Sequence, residues 1–166
     1  ESGKTEGVFL TMMLLFLGGA VFKILIYDLA SWNFCPGFYY NVEYTALSAL
    51  MRLIDFAAPL IMLFALYQLL LKDKAVATNP VVFGFSGLAL LFLYLSLEVN
   101  SFFHWQLPDF QASGLSVFWA LFAIAGIAGG IWKNVKELRY TGLALITIVV
   151  FKVFLYDLAA TPVIYR

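Results

Sequence analysis

The chain has 166 residues, of which 63% are hydrophobic and 12% are charged, and its ten basic and ten acidic residues leave no formal net charge. Soluble domains are about 45–50% apolar and about 25% charged, so this composition excludes a soluble globular protein and predicts an integral membrane protein. The balanced charge excludes a nucleic-acid-binding surface, and the single cysteine and single histidine predict no internal disulfide, no metal site and no cofactor.

Five apolar runs are long enough, or nearly so, to cross a bilayer as helices, which takes about 20 residues each. They cover residues 8–30, 46–71, 82–103, 115–132 and 138–160. The sequence therefore predicts an all-α membrane protein, a bundle of five transmembrane helices in a single transmembrane domain. Because the chain begins at Glu1 without a methionine, we expect it to be a piece of a larger protein.

Basic residues outside the runs indicate how the helices are oriented. If the helices alternate in direction, these residues share one side, and the segments 31–45 and 104–114 on the other side contain no lysine or arginine. By the positive-inside rule, the N-terminus is cytoplasmic. The residues on the cytoplasmic side are Lys4, Lys72, Lys74, Lys133, Lys136 and Arg139.

A nine-residue sequence occurs twice, each time near the end of an apolar run. Phe22-Lys-Ile-Leu-Ile-Tyr-Asp-Leu-Ala30 and Phe151-Lys-Val-Phe-Leu-Tyr-Asp-Leu-Ala159 match at six positions, and the other three hold only large apolar residues. The two lysines, Lys23 and Lys152, are separated by 152 − 23 = 129 residues, which is enough for four helices. Four is an even number, so we expect a parallel internal repeat with both copies in the outer leaflet.

Charged residues within the runs gather on the outer side in this topology. A charge at the centre of a membrane helix costs at least about 2.5–3.5 kcal/mol, so such residues usually pair with one another inside the protein. We expect one outer-side polar cluster that holds the helices together through ion pairs. The alternatives are a site that handles a substrate or protons, and charges that reach the interface without partners. The candidates are Lys23, Asp28, Arg52, Asp55, Glu98, His104, Lys152 and Asp157.

Within each nonapeptide the lysine and the aspartate are five residues apart, which is about 140° around an α-helix. We therefore expect each aspartate to reach Arg52 or a helix end, and each lysine to reach Glu98 or Asp55. Glu98 follows a long apolar run, so it either carries a proton or pairs with a lysine. His104 fits an interfacial position better than a role in acid–base chemistry.

Small residues give the fourth run a face on which another helix backbone can approach closely. We expect this face to pack against a neighbouring helix of the same chain rather than to form a dimer. Its candidate packing residues are Gly126, Gly129 and Gly130.

The last third of the chain resembles a bacterial family of predicted multi-spanning membrane proteins, the domain of unknown function 2339. In that family an Arg-Tyr-x-Gly turn leads into a helix that ends Lys-x-Phe-Leu-x-Asp-Leu, and a Tyr-Arg pair opens the next helix. The resemblance implies a multi-pass protein of the bacterial inner membrane with further helices, and it implies no particular activity. The matching residues are Arg139, Tyr140, Gly142, Lys152, Phe154, Leu155, Asp157, Leu158, Tyr165 and Arg166.

The sequence contains no nucleophile elbow, dinucleotide fingerprint, P-loop or zinc-protease motif, so it favours a non-enzymatic protein. The first hypothesis is an envelope scaffold or binding protein. Its expected partners are the lipid bilayer, the missing helices of the same protein, and an envelope protein or an anionic lipid or glycan. The second is a transporter or flippase that uses Glu98, Lys23 and Lys152. The third is an enzyme that acts on a lipid-linked substrate at the outer leaflet through Glu98 or Asp28 with His104.

Overall fold

A computed structural model of the chain describes residues 2–35, 37–72 and 80–157. Its long helices are α1 (Ser2–Lys23), α3 (Ala46–Lys72), α4 (Pro80–Gln106), α5 (Gln111–Trp132) and α6 (Lys136–Lys152). The chain continues from α1 through a π-helical segment, Ile24–Asp28, into the short helix α2 (Leu29–Ser31). A second π-helical segment, Val153–Asp157, follows α6, and a 3₁₀ turn, Pro108–Phe110, precedes α5.

Five helical stretches of the described chain are long and apolar enough to cross a membrane. They comprise 20 to 27 residues each and leave most of their length unburied within the chain. Large apolar side chains on them, such as Leu15 and Phe16, are 71% exposed, as expected for helices whose sides contact lipid. The predicted fold class, an all-α membrane protein with five spanning helices, is therefore confirmed. The spans are Gly7–Ser31, Ala46–Leu71, Pro80–Gln106, Pro108–Trp132 and Lys136–Leu155.

The chain divides into two compact units, Glu1–Leu95 and Ser96–Arg166. A core cluster of the first unit forms where Ile24, at the start of the π-helical segment, meets two aromatic residues, Phe56 of α3 and Tyr94 of α4. The Phe56 and Tyr94 rings lie 4.8 Å apart between centroids, and the Trp32 ring packs 6.2 Å from that of Phe56. These contacts place the π-helical end of α1 beside α3.

A short β-hairpin lies between the first and second predicted spans, where the sequence predicts no regular structure. Strands β1 (Phe34–Cys35) and β2 (Tyr39–Tyr40) pair antiparallel, with Phe34 opposite Tyr40. Tyr40 is completely buried and makes an edge-on contact with the Trp32 ring at 5.5 Å. Through Trp32, which also packs on Phe56, the hairpin tyrosine is joined to the core of the first unit.

The second unit is built around a tight hairpin of α5 and α6. A methyl group at Gly130 would lie 2.7 Å from Arg139 Cγ and 2.9 Å from the Arg139 backbone nitrogen. From the other side, a methyl group at Gly142 would lie 2.9 Å from the carbonyl oxygen of Ala123. Only glycine permits this approach of the two helix backbones without a shift. Gly126 and Gly129 also face α6, where both lie against Leu138.

Candidate functional site

Both copies of the repeated nonapeptide change from α-helical to π-helical backbone at the same place. The segments Ile24–Asp28 and Val153–Asp157 begin directly after the two lysines and end at the two aspartates. In the first segment the backbone nitrogen of Leu29 donates to the carbonyl oxygen of Ile24, five residues earlier. π-helical turns are rare and often lie at functional sites, so this shared geometry marks the nonapeptides as the candidate site.

In the first copy the lysine bridges two carboxylates. Lys23 Nζ lies 2.9 Å from Asp28 Oδ2 on its own helix and 2.8 Å from Asp55 Oδ1 on α3. We call these three residues the Lys23 triad. The Asp28 side chain is 6% exposed, that of Asp55 is 30% exposed and that of Lys23 is 53% exposed. The triad carries a net charge of −1 and ties the end of α1 to α3.

Lys23 reaches Asp55, one of the two acids expected for it, but it also bonds Asp28. The expectation that the lysine and the aspartate of one nonapeptide do not pair mainly with each other along a straight helix is wrong for the first copy in this respect. It assumed α-helical geometry, in which residues five apart point about 140° away from each other. A π-helical turn bonds residue i to residue i+5 and so brings side chains at that spacing onto the same side of the helix. Lys23 and Asp28 meet for this reason, and the contact with Asp55 is added to that pair.

Arg52 occupies a buried, aromatic environment near the start of α3. Only 1% of the residue is exposed, and its guanidinium carbon lies 4.6 Å from the centre of the Tyr40 ring and 5.5 Å from that of Tyr44. A guanidinium over the face of an aromatic ring is attracted by the electron density of the ring. Sequence reasoning identified Arg52 as a candidate but not its two tyrosine partners, because it followed charged residues only.

In the second copy the described contacts of the lysine are to α5. Lys152 Nζ donates to Ser116 Oγ at 2.6 Å and to the backbone carbonyl oxygen of Ala112 at 3.2 Å. Both acceptors were missed from the sequence, since a serine and a backbone carbonyl give no charge pattern to follow. The side chain of Asp157 lies outside the described part of the structure, as do Leu158, Tyr165 and Arg166.

Polar side chains of α4 and α5 form a series of hydrogen bonds in the second unit. Trp119 Nε1 donates to Ser96 Oγ at 3.1 Å, and Gln111 Nε2 donates to Asn100 Oδ1 at 3.0 Å. His104 Nδ1 lies 3.3 Å from Gln111 Oε1. These bonds join the last turns of α4 to α5.

Glu98 lies within the same part of α4 and is buried, with 8% of the residue exposed. Ser96, Asn100 and Ser101 near it are also buried. Because polar groups in a low-dielectric interior need partners, this stretch of α4 fits an interior position better than a lipid-facing one.

The described residues contain no group of three or more histidine, cysteine, aspartate or glutamate side chains that could hold a metal ion. His104 bonds to an amide, and the carboxylates of the Lys23 triad bond to an ammonium group. What these arrangements do chemically is neutralise charge and join helices: α1 to α3 in the first unit, and α5 to α4 and α6 in the second.

Comparison with known proteins shows which family the chain belongs to. No curated protein and no solved structure matches the chain significantly. A family of predicted membrane proteins does match, over residues 4–166, so the similarity is not confined to the last third of the chain. Since this match covers nearly the whole sequence, the chain belongs to the DUF2339 family of predicted membrane proteins.

Proposed function

We propose that the chain is a non-enzymatic scaffold or binding module of the bacterial inner membrane, in which paired charges hold the spanning helices in register. The observation that carries this proposal is the Lys23 triad. Its ammonium group already bonds two carboxylates of the same chain, one on its own helix and one on α3. A side chain engaged in this way stabilises the fold directly.

The packing of α1 supports a structural role for the triad. This helix buries the smallest share of its length among the five spans, 6% of its most apolar window. Among the residues that the structure describes, no other part of the chain lies within 4 Å of where a Cβ on Gly18 or Gly19 would be. With so little packing along its length, α1 depends on contacts near its end, where the triad and the contacts of Ile24 lie.

We further propose that the N-terminus is cytoplasmic and that the two nonapeptides form a parallel repeat. The distribution of lysine and arginine supports the orientation. The repeat is supported by the sequence match and by the π-helical segments, which occur at corresponding positions in the two copies. A repeat of this kind assigns the same task to Lys23 and Lys152, namely joining the end of one helix to another.

A transporter is the second candidate, and one feature favours it. The Lys23 side chain is 53% exposed even though it bonds two carboxylates, and it adjoins a π-helical segment. A half-exposed lysine between two acids can exchange one carboxylate partner for another, as a transport cycle requires.

A charge-swap experiment in cells distinguishes the two candidates. Lys23→Asp combined with Asp55→Lys keeps an ion pair while exchanging its ends. The variants are expressed as the full-length protein in a strain that lacks it, and both the membrane level of the protein and the integrity of the envelope are measured. A scaffold predicts that each single variant lowers both readouts and that the double variant restores both.

The same experiment can overturn the proposal. If the double variant restores the protein level but not envelope integrity, the chemical identity of the lysine matters and the scaffold is wrong. Lys72→Gln, which removes a positive charge from the end of α3, controls for the loss of one positive charge.

A further inference from the structure

The turn between α5 and α6 concentrates positive charge beside a highly exposed aromatic ring. Lys133, Lys136 and Arg139 lie within seven residues, and Glu137 is the one acidic residue among them. Trp132 ends α5 with 85% of its surface exposed. None of these residues belongs to the Lys23 triad or to the hydrogen bonds between α4 and α5.

Local hydrogen bonds fix the backbone of this turn. Asn134 has a left-handed conformation, with φ of 55°, which asparagine tolerates better than most residues. The backbone nitrogen of Lys133 donates to the carbonyl oxygen of Gly129 at 2.9 Å, and that of Val135 donates to the carbonyl oxygen of Gly130, also at 2.9 Å. The close approach of Arg139 to Gly130 adds a further restraint. The basic residues are therefore presented by a backbone that need not be ordered on binding.

The side chains at the tip of the turn are arranged as a headgroup contact requires. Lys133 Nζ lies 5.5 Å from the centre of the Trp132 ring, so an ammonium group sits over an aromatic face. Tryptophan at the end of a spanning helix prefers the level of the lipid headgroups. At that depth the ammonium group is within reach of phosphate, while the ring contacts the upper acyl chains.

From this arrangement we infer that the α5–α6 turn binds anionic phospholipid headgroups through Trp132, Lys133 and Lys136. The local charge, three cations against one anion, complements a phosphate-rich surface, and basic residues beside a membrane helix are attracted to anionic lipid. An acidic soluble partner would not require the exposed tryptophan at the end of a spanning helix. The inference rests on the geometry of the turn and is independent of the scaffold proposal.

Lipid retention measured by native mass spectrometry tests the inference. The detergent-solubilised chain is titrated with phosphatidylglycerol and, separately, with phosphatidylcholine. Each lysine beside an anionic lipid contributes about a fivefold gain in affinity, so Lys133→Gln with Lys136→Gln is expected to weaken phosphatidylglycerol binding about 30-fold. Binding of phosphatidylcholine should not change. Glu137→Gln should strengthen phosphatidylglycerol binding, a gain that a purely structural turn would not produce.

The control removes the same number of positive charges elsewhere. Lys72→Gln with Lys74→Gln leaves the α5–α6 turn intact and should alter phosphatidylglycerol binding less than threefold. Equal losses in the two double variants would show that net charge alone governs binding, and the inference would be overturned. It would also be overturned if Glu137→Gln failed to strengthen binding, or if inorganic phosphate competed as well as the lipid.

Discussion

Replacing Lys23 by methionine tests whether the Lys23 triad stabilises the fold. The change leaves two carboxylates without their shared cation, and the Asp28 side chain is only 6% exposed. Removing one member of a fully buried ion pair costs about 3–5 kcal/mol, whereas an exposed pair contributes about 0–1 kcal/mol. Because the Lys23 side chain is 53% exposed, we expect an intermediate loss of about 2 kcal/mol.

The expected loss is measurable in detergent. For a chain of this size, about 2 kcal/mol lowers the midpoint of thermal unfolding by about 4–8 °C, followed by tryptophan fluorescence. Adding Asp28→Asn to Lys23→Met removes one of the abandoned carboxylates, and this second change should recover at least half of the loss. Lys72→Met provides the comparison, since a charge at the end of α3, 72 − 55 = 17 residues after Asp55, should shift the midpoint by less than 2 °C.

Two results would refute this reasoning. The first is a midpoint for Lys23→Met within 1 °C of the unaltered protein, which would mean that the triad contributes nothing measurable. The second is a double variant less stable than Lys23→Met alone, which would show that Asp28 is stabilised by something other than the lysine.

Three further predictions concern the second unit and the packing of the helices, and all three are measured as thermal unfolding midpoints in detergent. Gly142→Ala should destabilise the protein by about 1–3 kcal/mol because the methyl group meets backbone atoms of α5. Gly18→Ala, where a Cβ has open space, should be neutral or stabilising. Similar losses of stability at both sites would contradict the packing of α5 against α6. Trp119→Phe should lower the free energy of unfolding by about 1 kcal/mol, because the buried hydroxyl of Ser96 on α4 loses its hydrogen-bond donor. An unchanged midpoint would show that this hydrogen bond does not stabilise the protein. Glu98→Gln, at a buried site, should be more damaging than Asp109→Asn at an exposed one, and equal tolerance of both would exclude Glu98 as an important group.

The spanning helices could be predicted from the sequence because a lipid environment permits few backbone conformations. Each apolar run must satisfy its own backbone hydrogen bonds in the membrane, and a continuous helix is the only way for a single run to do so. The runs at residues 46–71 and 115–132 correspond closely to α3 and α5 for that reason. Composition alone decides such segments, without any knowledge of their neighbours.

The details of the candidate site could not be predicted because they depend on local backbone geometry. A π-helical turn requires no distinctive residue type, so the sequence does not reveal it. Lys23 and Asp28 are five residues apart, a spacing that does not bring side chains together in an α-helix, and their pairing was therefore not predicted. The contact from Lys152 to Ser116 depends on how closely α6 approaches α5, and the positions of charged residues in the sequence do not show this. The β-hairpin was missed because each of its strands is only two residues long.

The π-helical segment Ile24–Asp28 sets the direction in which the chain leaves the first nonapeptide. A π-helical turn holds about one residue more than an α-helical turn of 3.6 residues. If all five residues closed into an ordinary α-helix, everything that follows would turn by about 100° around the helix axis. Trp32 would then move away from Phe56, and the buried hairpin tyrosine, Tyr40, would move with it. A substitution can be absorbed by repacking, but the loss of this wide turn would dismantle the packing around Phe56.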